Sequence, residues 1–348
     1  MRKVLRLLWN WSKGESGRGG LLQGRINMKF TTRIAASAAA GLVLASVAQT
    51  PAMAASKPML VFVTNGSSDF WKAAAAGVKA AQKELPNFDM SLQYPDQATS
   101  AAQQQLLDNL VTAGAKGIMM STIDPNTATG MLNKIASETD LFTTDSDAPK
   151  SNRIAYIGSS NVLAGKQAAE IAKKAMPNGG TCMGFVGLPG AANSQERIEG
   201  FKEGIKGTKI KLIDVRGDNM DQTAAKKNVA DTLVADPNVN CLVGIYSYNT
   251  PEIYAALKDA GELGKITVVG FDGDPVTLGG IKQGVIAGTV VQQPYQWAYQ
   301  GMKLMAKYVK GDKSGVPANH LIIIPTKIIN KANVDAYAAQ QEKMMKGS

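Results

Sequence analysis

MLVFVTNGSSDFWKAAAAGVKAAQKELPNFDMSLQY (59–94) holds one complete unit of the chain's architecture. It opens on an unbroken apolar run, MLVFVT (59–64), the pattern of a strand covered on both faces. A loop rich in Ser, Asn and Gly follows, then an amphipathic segment over 70–84, then a second strand-like run, FDMSLQY (88–94). Strand, helix and strand in that order make a βαβ unit, whose strands lie parallel.

Outward from this unit the alternation repeats. Short apolar runs recur at 117–121, 141–145, 154–158, 181–187, 211–215, 241–246, 266–271 and 285–292. Amphipathic segments lie between them at 99–114, 125–138, 162–175, 193–206, 221–235 and 250–260. Asp124-Pro125, Asn249-Thr250-Pro251 and Asp274-Pro275 read as helix starts, each setting a capping side chain beside a proline. So many strands are uncomfortable in one open sheet, and the pattern restarts after Pro177-Asn178-Gly179-Gly180. The expected fold class is therefore α/β, with two Rossmann-like lobes built on parallel sheets. Residues 57–158 with 293–322 form the expected N-terminal lobe, and 159–292 with 323–342 the C-terminal one. The late strand LIIIPTKII (321–329) and a helix at 295–310 return to these lobes, and Gly158-Ser159-Ser160 is the expected first hinge.

The 348 residues carry a net charge of +10, which by itself suggests a nucleic-acid partner. Its location argues otherwise. Residues 1–27 hold +5 and residues 28–54 a further +2, leaving +3 spread among mixed charges. A DNA footprint needs clustered Lys and Arg on one surface, so nucleic acid is not an expected partner. From Met28 the chain reads MKFTTRIAASAAAGLVLASVAQTPAMAA. Two cations precede an apolar stretch, Ile34 to Ala48, shorter than the roughly 20 residues of a spanning helix. Ala52-Met53-Ala54 then supplies a small-x-small cleavage signal. Residues 28–54 read as a secretory signal peptide cut after Ala54, with 1–27 an upstream extension ahead of the true start. The expected destination is the periplasm. In that oxidising compartment Cys182 and Cys241, each opening an apolar run, form a disulfide if their strands are neighbours; otherwise they are two buried thiols.

His320 is the sole histidine. It leaves no multi-His metal site and no Ser-His-Asp pattern, and HExxH and GxxxxGK[ST] are absent. The expectation is a binding protein, not an enzyme, with no cofactor and no metal. In open parallel sheets, ligands bind beyond the carboxyl ends of the strands. Asn65 follows the first run there, with Phe70 and Trp71 on the next helix. Asp145, Ser146 and Asp147 follow LFTT. Tyr246, Ser247, Tyr248 and Asn249 follow CLVGI; Asp272 follows VVGF; Gln292 follows GTVV. This set of amides, carboxylates, hydroxyls and rings contains no Lys or Arg, so it suits no anion. It suits a neutral polyhydroxy ligand, since Asp and Asn satisfy neighbouring hydroxyls and rings cover C–H faces. Asp124 reads as a helix cap, Asp145 and Asp272 as ligand contacts. Asp147 stands open between ligand and loop, Tyr246 and Tyr248 between ligand and sheet packing.

VTNGSSDFW (63–71), TDSDAP (144–149), YIGSSNVLAGKQAAE (156–170), ANSQERIEGF (192–201), VVGFDG (268–273) and TVVQQPYQWA (289–298) together resemble the periplasmic sugar-binding proteins of ABC transporters, in particular the ribose-binding-like class. The resemblance spans the chain beyond the signal peptide. It implies two lobes joined by three crossovers that clamp a monosaccharide or related polyol, with a non-sugar polar ligand or signal molecule as the alternative. An ABC transporter permease is the implied partner and a chemoreceptor a second candidate. Residue by residue, it makes Phe70 and Trp71 the stacking aromatics, Ser68 a hydroxyl contact, Asp145 and Asp272 the two carboxylates and Gln292 the hinge-side amide. Asn249 matches the second-lobe Asn, with Tyr246 or Ser247 as other holders of that place. Two departures speak against ribose itself: Ser146 and Gln195 stand where the ribose-type pattern has Arg. Arg197 remains, in a position read as more structural.

Overall fold

The computed structural model describes residues 56–346. The expected signal peptide and the segment before it lie outside these residues. The first lobe opens with β1 (Met59–Val63), α1 (Trp71–Glu84), β2 (Asp89–Gln93), α2 (Ser100–Thr112), β3 (Gly117–Met120), α3 (Pro125–Glu138), β4 (Asp140–Thr144) and β5 (Tyr156–Gly158). The chain then crosses into the second lobe. There it forms α4 (Asn161–Ala175), β6 (Gly180–Val186), α5 (Ala192–Ile205), β7 (Ile210–Gly217), α6 (Gln222–Ala235) and β8 (Cys241–Gly244). The second lobe continues with α7 (Asn249–Asp259), β9 (Thr267–Phe271), α8 (Pro275–Gln283) and β10 (Gly288–Val291). A second crossing leads to α9 (Pro294–Val309) and β11 (Leu321–Ile323) in the first lobe, a third to β12 (Lys327–Ile329) and α10 (Val334–Lys346) in the second.

The two sheets have the orders β11-β5-β4-β3-β1-β2 and β12-β10-β9-β8-β6-β7. They are the same topology twice. Each is parallel throughout except that β12 runs antiparallel to β10. The strand expected over 321–329 is in fact two strands in different sheets. Pro325 lies between them and has no N–H for a ladder, while the Ile324 amide turns back to donate to the Gly158 carbonyl at 2.7 Å.

Why these residues form these elements is visible in burial. Every residue of β3, β8 and β10 is buried, as apolar strands covered on both faces require. Asp124 caps α3 through the Asn126 amide at 2.9 Å, and Asp274 caps α8 through Val276 at 2.8 Å. Asn249 departs from the cap expectation: it is the first residue of α7, and its Oδ1 instead accepts from the Tyr246 amide at 2.9 Å. Each of the first two crossings leads into a helix packed within its own lobe, α4 on α5 in the second and α9 on α1 in the first. At the first of these, glycine is required. A Cβ on Gly165 or Gly200 would lie 2.1 or 2.0 Å from a carbonyl oxygen of the opposing helix. Cys182 and Cys241 are directly paired residues of β6 and β8 and are joined as a disulfide.

Candidate functional site

The carboxyl ends of the two sheets face one crevice. Asn65, Ser68, Phe70 and Trp71 reach it from the loop after β1 and the start of α1, and Asp145 from the end of β4. From the second lobe come Tyr246 beyond β8, Asp272 at the end of β9 and Gln292 at the end of β10. Phe70 and Trp71 both contribute; their rings meet edge to face with centroids 4.9 Å apart, and Trp71 also packs its inner side on Phe62.

Asp145 and Asp272 end topologically equivalent strands. Both adopt positive φ, 54° and 64°, a conformation Asp tolerates better than most residues. The strained backbone is held by side-chain donors on each carbonyl: Asn161 Nδ2 at 3.0 Å on Asp145, Thr289 Oγ1 at 2.8 Å on Asp272. The Asp145 carboxylate accepts from Ser121 Oγ at 2.8 Å and from Asn193 Nδ2 at 3.0 Å. Asn193 belongs to the second lobe, so this contact spans the crevice. Ser146 spans it too, its Oγ accepting from the Ala192 amide at 3.2 Å. Asp272 accepts from the Gln292 amide at 3.1 Å and from its side-chain Nε2 at 3.1 Å.

Arg197 sits among these groups, 3% exposed. Its guanidinium donates to Asn161 Oδ1 at 3.0 Å, the Ile245 carbonyl at 2.9 Å and Gln292 Oε1 at 2.7 Å. It lies 3.5 Å from Asp145 Oδ1 and over the Phe271 ring, 4.9 Å from its centroid. Burial raises both carboxylates above their ordinary range, with Arg197 the main opposing influence. Asp272 is pushed up to about 6, with Gln292 also pulling it down. Asp145 moves in the same direction, held back further by Ser121 and Asn193.

Three expected residues do not line the crevice. Gln195 is exposed. Asn193 and Arg197, four apart on α5, share the inward helical face, and Gln195 between them falls on the opposite side. Asp147 points away and binds Arg153 through its Nε and Nη2 at 2.5 and 2.6 Å, which fastens the loop after β4. Asn249 lies beneath the crevice, tying the Tyr246 amide to Asp218 Oδ2 at 2.8 Å. Arg197, read as more structural, both lines the crevice and braces it. Asn193 and Met220 were not anticipated. The signal for Asn193 was available, since β6–α5 repeats β1–α1 and must present its helix start to the same place. Met220 follows a loop with positive φ at Asn219 and itself, 55° and 67°, which no apolar pattern marks. Among the described residues no group of three or more His, Cys, Asp or Glu is placed to hold a metal ion.

A two-lobed shell that gathers carboxylates, amides and rings at a topological switch point defines a solute-binding protein of the hinge-closing class. The family model described as periplasmic binding protein domain matches residues 59–313, and the chain belongs to that family. Among its relatives, the ribose import binding protein of Salmonella typhimurium is 28% identical over 67% of this chain and 79% of that one. The D-apiose import binding protein of Actinobacillus succinogenes is 27% identical over 84% and 96%. A solved ABC transporter solute binding protein from Burkholderia graminis, in complex with D-arabinose, is 27% identical with a TM-score of 0.76, covering 82% of this chain and 99% of that one.

Proposed function

We propose that this chain is the periplasmic solute-binding component of an ABC sugar importer, taking a neutral monosaccharide or related polyol between closing lobes and delivering it to the permease. The observation that carries this reading is the matched pair Asp145 and Asp272, one from each lobe, set in a single crevice with amides and the Phe70–Trp71 pair. Paired carboxylate oxygens suit vicinal hydroxyls, and the rings suit a C–H face. Arg197 does not turn the site toward anions, because all three of its nitrogens already donate, to Asn161, Ile245 and Gln292, and its charge faces the Asp145 carboxylate at 3.5 Å. The names of the relatives, ribose and apiose among them, support a sugar. Secretion through the segment 28–54, with cleavage after Ala54, is part of the same proposal, as is contact with a chemoreceptor through the closed lobe surfaces.

Binding without turnover is the expected behaviour. A thermal-shift screen against pentoses, hexoses and polyols tests it: a ligand at 100 times its Kd adds about 2.7 kcal/mol of stability. No shift with any saccharide or polyol, or hydrolysis of an aryl glycoside, would overturn the reading.

A further inference from the structure

Phe70, Ser247, Tyr248, Asp272 and Gln292 line the crevice, and the same five line a far larger cavity beside it, of about 740 Å³. The crevice itself has about 30 Å³ of free room, whereas the cavity falls in the range of small-molecule sites, roughly 300–1,000 Å³. The cavity's outer wall is α10. That helix is fastened to the loop carrying Asp272: Gln341 Nε2 donates to the Gly273 carbonyl at 3.1 Å. Tyr337 packs on the same glycine so closely that a Cβ there would lie 2.7 Å from its ring. The cavity's lining repeats the crevice's chemistry, with rings from Phe70, Tyr295 and Tyr337 and amides from Gln293, Gln296 and Gln341. Two of its cations are already paired, Lys72 with Asp69 and Lys282 with Asp335, each at 2.8 Å.

We propose that this cavity is a second-ring subsite, so that the natural solute is a glycoside with one ring in the crevice and its partner ring against α10. The inference rests on the sugar-binding reading and extends it from a monosaccharide to a larger molecule. Its basis is that five residues line both spaces, so that a substituent carried past Phe70 and Asp272 would meet the cavity's lining.

The test is isothermal calorimetry on the full mature chain with three sets of probes: free pentoses and hexoses, their 4-nitrophenyl glycosides, and disaccharides. Each is repeated on Gly279→Trp. Gly279 lies on α8 in the cavity lining, and a Cβ there meets no heavy atom within 4 Å, so the ring fills open space. Replacing a helical glycine also favours the helix, which keeps the variant folded. Expected is a glycoside or disaccharide that binds at least as tightly as its parent monosaccharide and weakens about tenfold or more in Gly279→Trp, with the monosaccharide unchanged within about twofold. Preference for a disaccharide over the nitrophenyl glycoside identifies the second ring as a sugar, and the reverse preference as aromatic. Monosaccharide binding with glycosides about a hundredfold weaker, or glycoside binding indifferent to Gly279→Trp, overturns the subsite and leaves the sugar-binding reading standing. Failure of every probe in both proteins overturns that reading itself.

Discussion

Asp272 has the residue-scale property easiest to test. Its carboxyl is raised from 3.8 to about 6 by burial, against the pull of Arg197 and Gln292. A raised folded-state value means that the native protein holds this proton more tightly than the unfolded chain does. Its contribution to stability is therefore complete below about pH 4 and is lost as the pH rises through about 6. Solute hydroxyls donate to the ionised form, so binding should release a proton in that window. Affinity should weaken about tenfold per pH unit below 6. Calorimetry in buffers of different ionisation enthalpy reads both; a Kd flat between about pH 5 and 8 would exclude Asp272 as an acceptor. Asp272→Asn should remove the share of this pH dependence that Asp272 carries, leaving that of Asp145, and weaken binding by about 1.5–3 kcal/mol for each charged hydrogen bond lost. These carboxylates were legible in the sequence because an apolar strand runs straight into each. Gln195 and Asp147 misled because sequence distance from a motif does not say which way a helix or loop turns its side chains.

The joint between α4 and α5 has a cost that helix propensity would hide. Alanine is the better helix former by about 1 kcal/mol, yet at Gly200 its Cβ would press within 2.0 Å of the Val162 carbonyl oxygen. Gly200→Ala should therefore destabilise the protein by about 1–3 kcal/mol in urea titration, the usual cost of overpacking. A gain in stability would show that the helices separate freely. The disulfide acts at the same scale. Cys182 and Cys241 are 59 residues apart, and opening such a link costs about 2–5 kcal/mol. Reduction should lower the urea midpoint without changing which sugars bind, because both sulfurs sit at the amino-terminal ends of β6 and β8, away from the crevice.

At the scale of the molecule, three crossings of the chain connect two copies of one topology. They permit hinge closure, and the contacts Asp145–Asn193 and Ser146–Ala192 are those of a closed pair of lobes. Ligand can shift that equilibrium only by its differential affinity for the closed form. Small-angle scattering should show a smaller radius of gyration with a saturating ligand than without, and Asn193→Ala should enlarge the difference by opening the unliganded form. Equal radii in both states would remove closure from the mechanism.

The βαβ alternation, the restart after Gly180 and the strand ends that carry Asp145, Asp272 and Gln292 were all legible in the order of residues. Periodicity of apolar residues is a local property, written in order along the chain. The division of 321–329 between two sheets and the meeting of Arg197 and Asn193 with Asp145 emerged from the packing of the folded lobes alone. That packing also brought α10 to lie beside Asp272. Those are contacts between segments distant in sequence, set by which surfaces the folded lobes press together, and no local pattern encodes them.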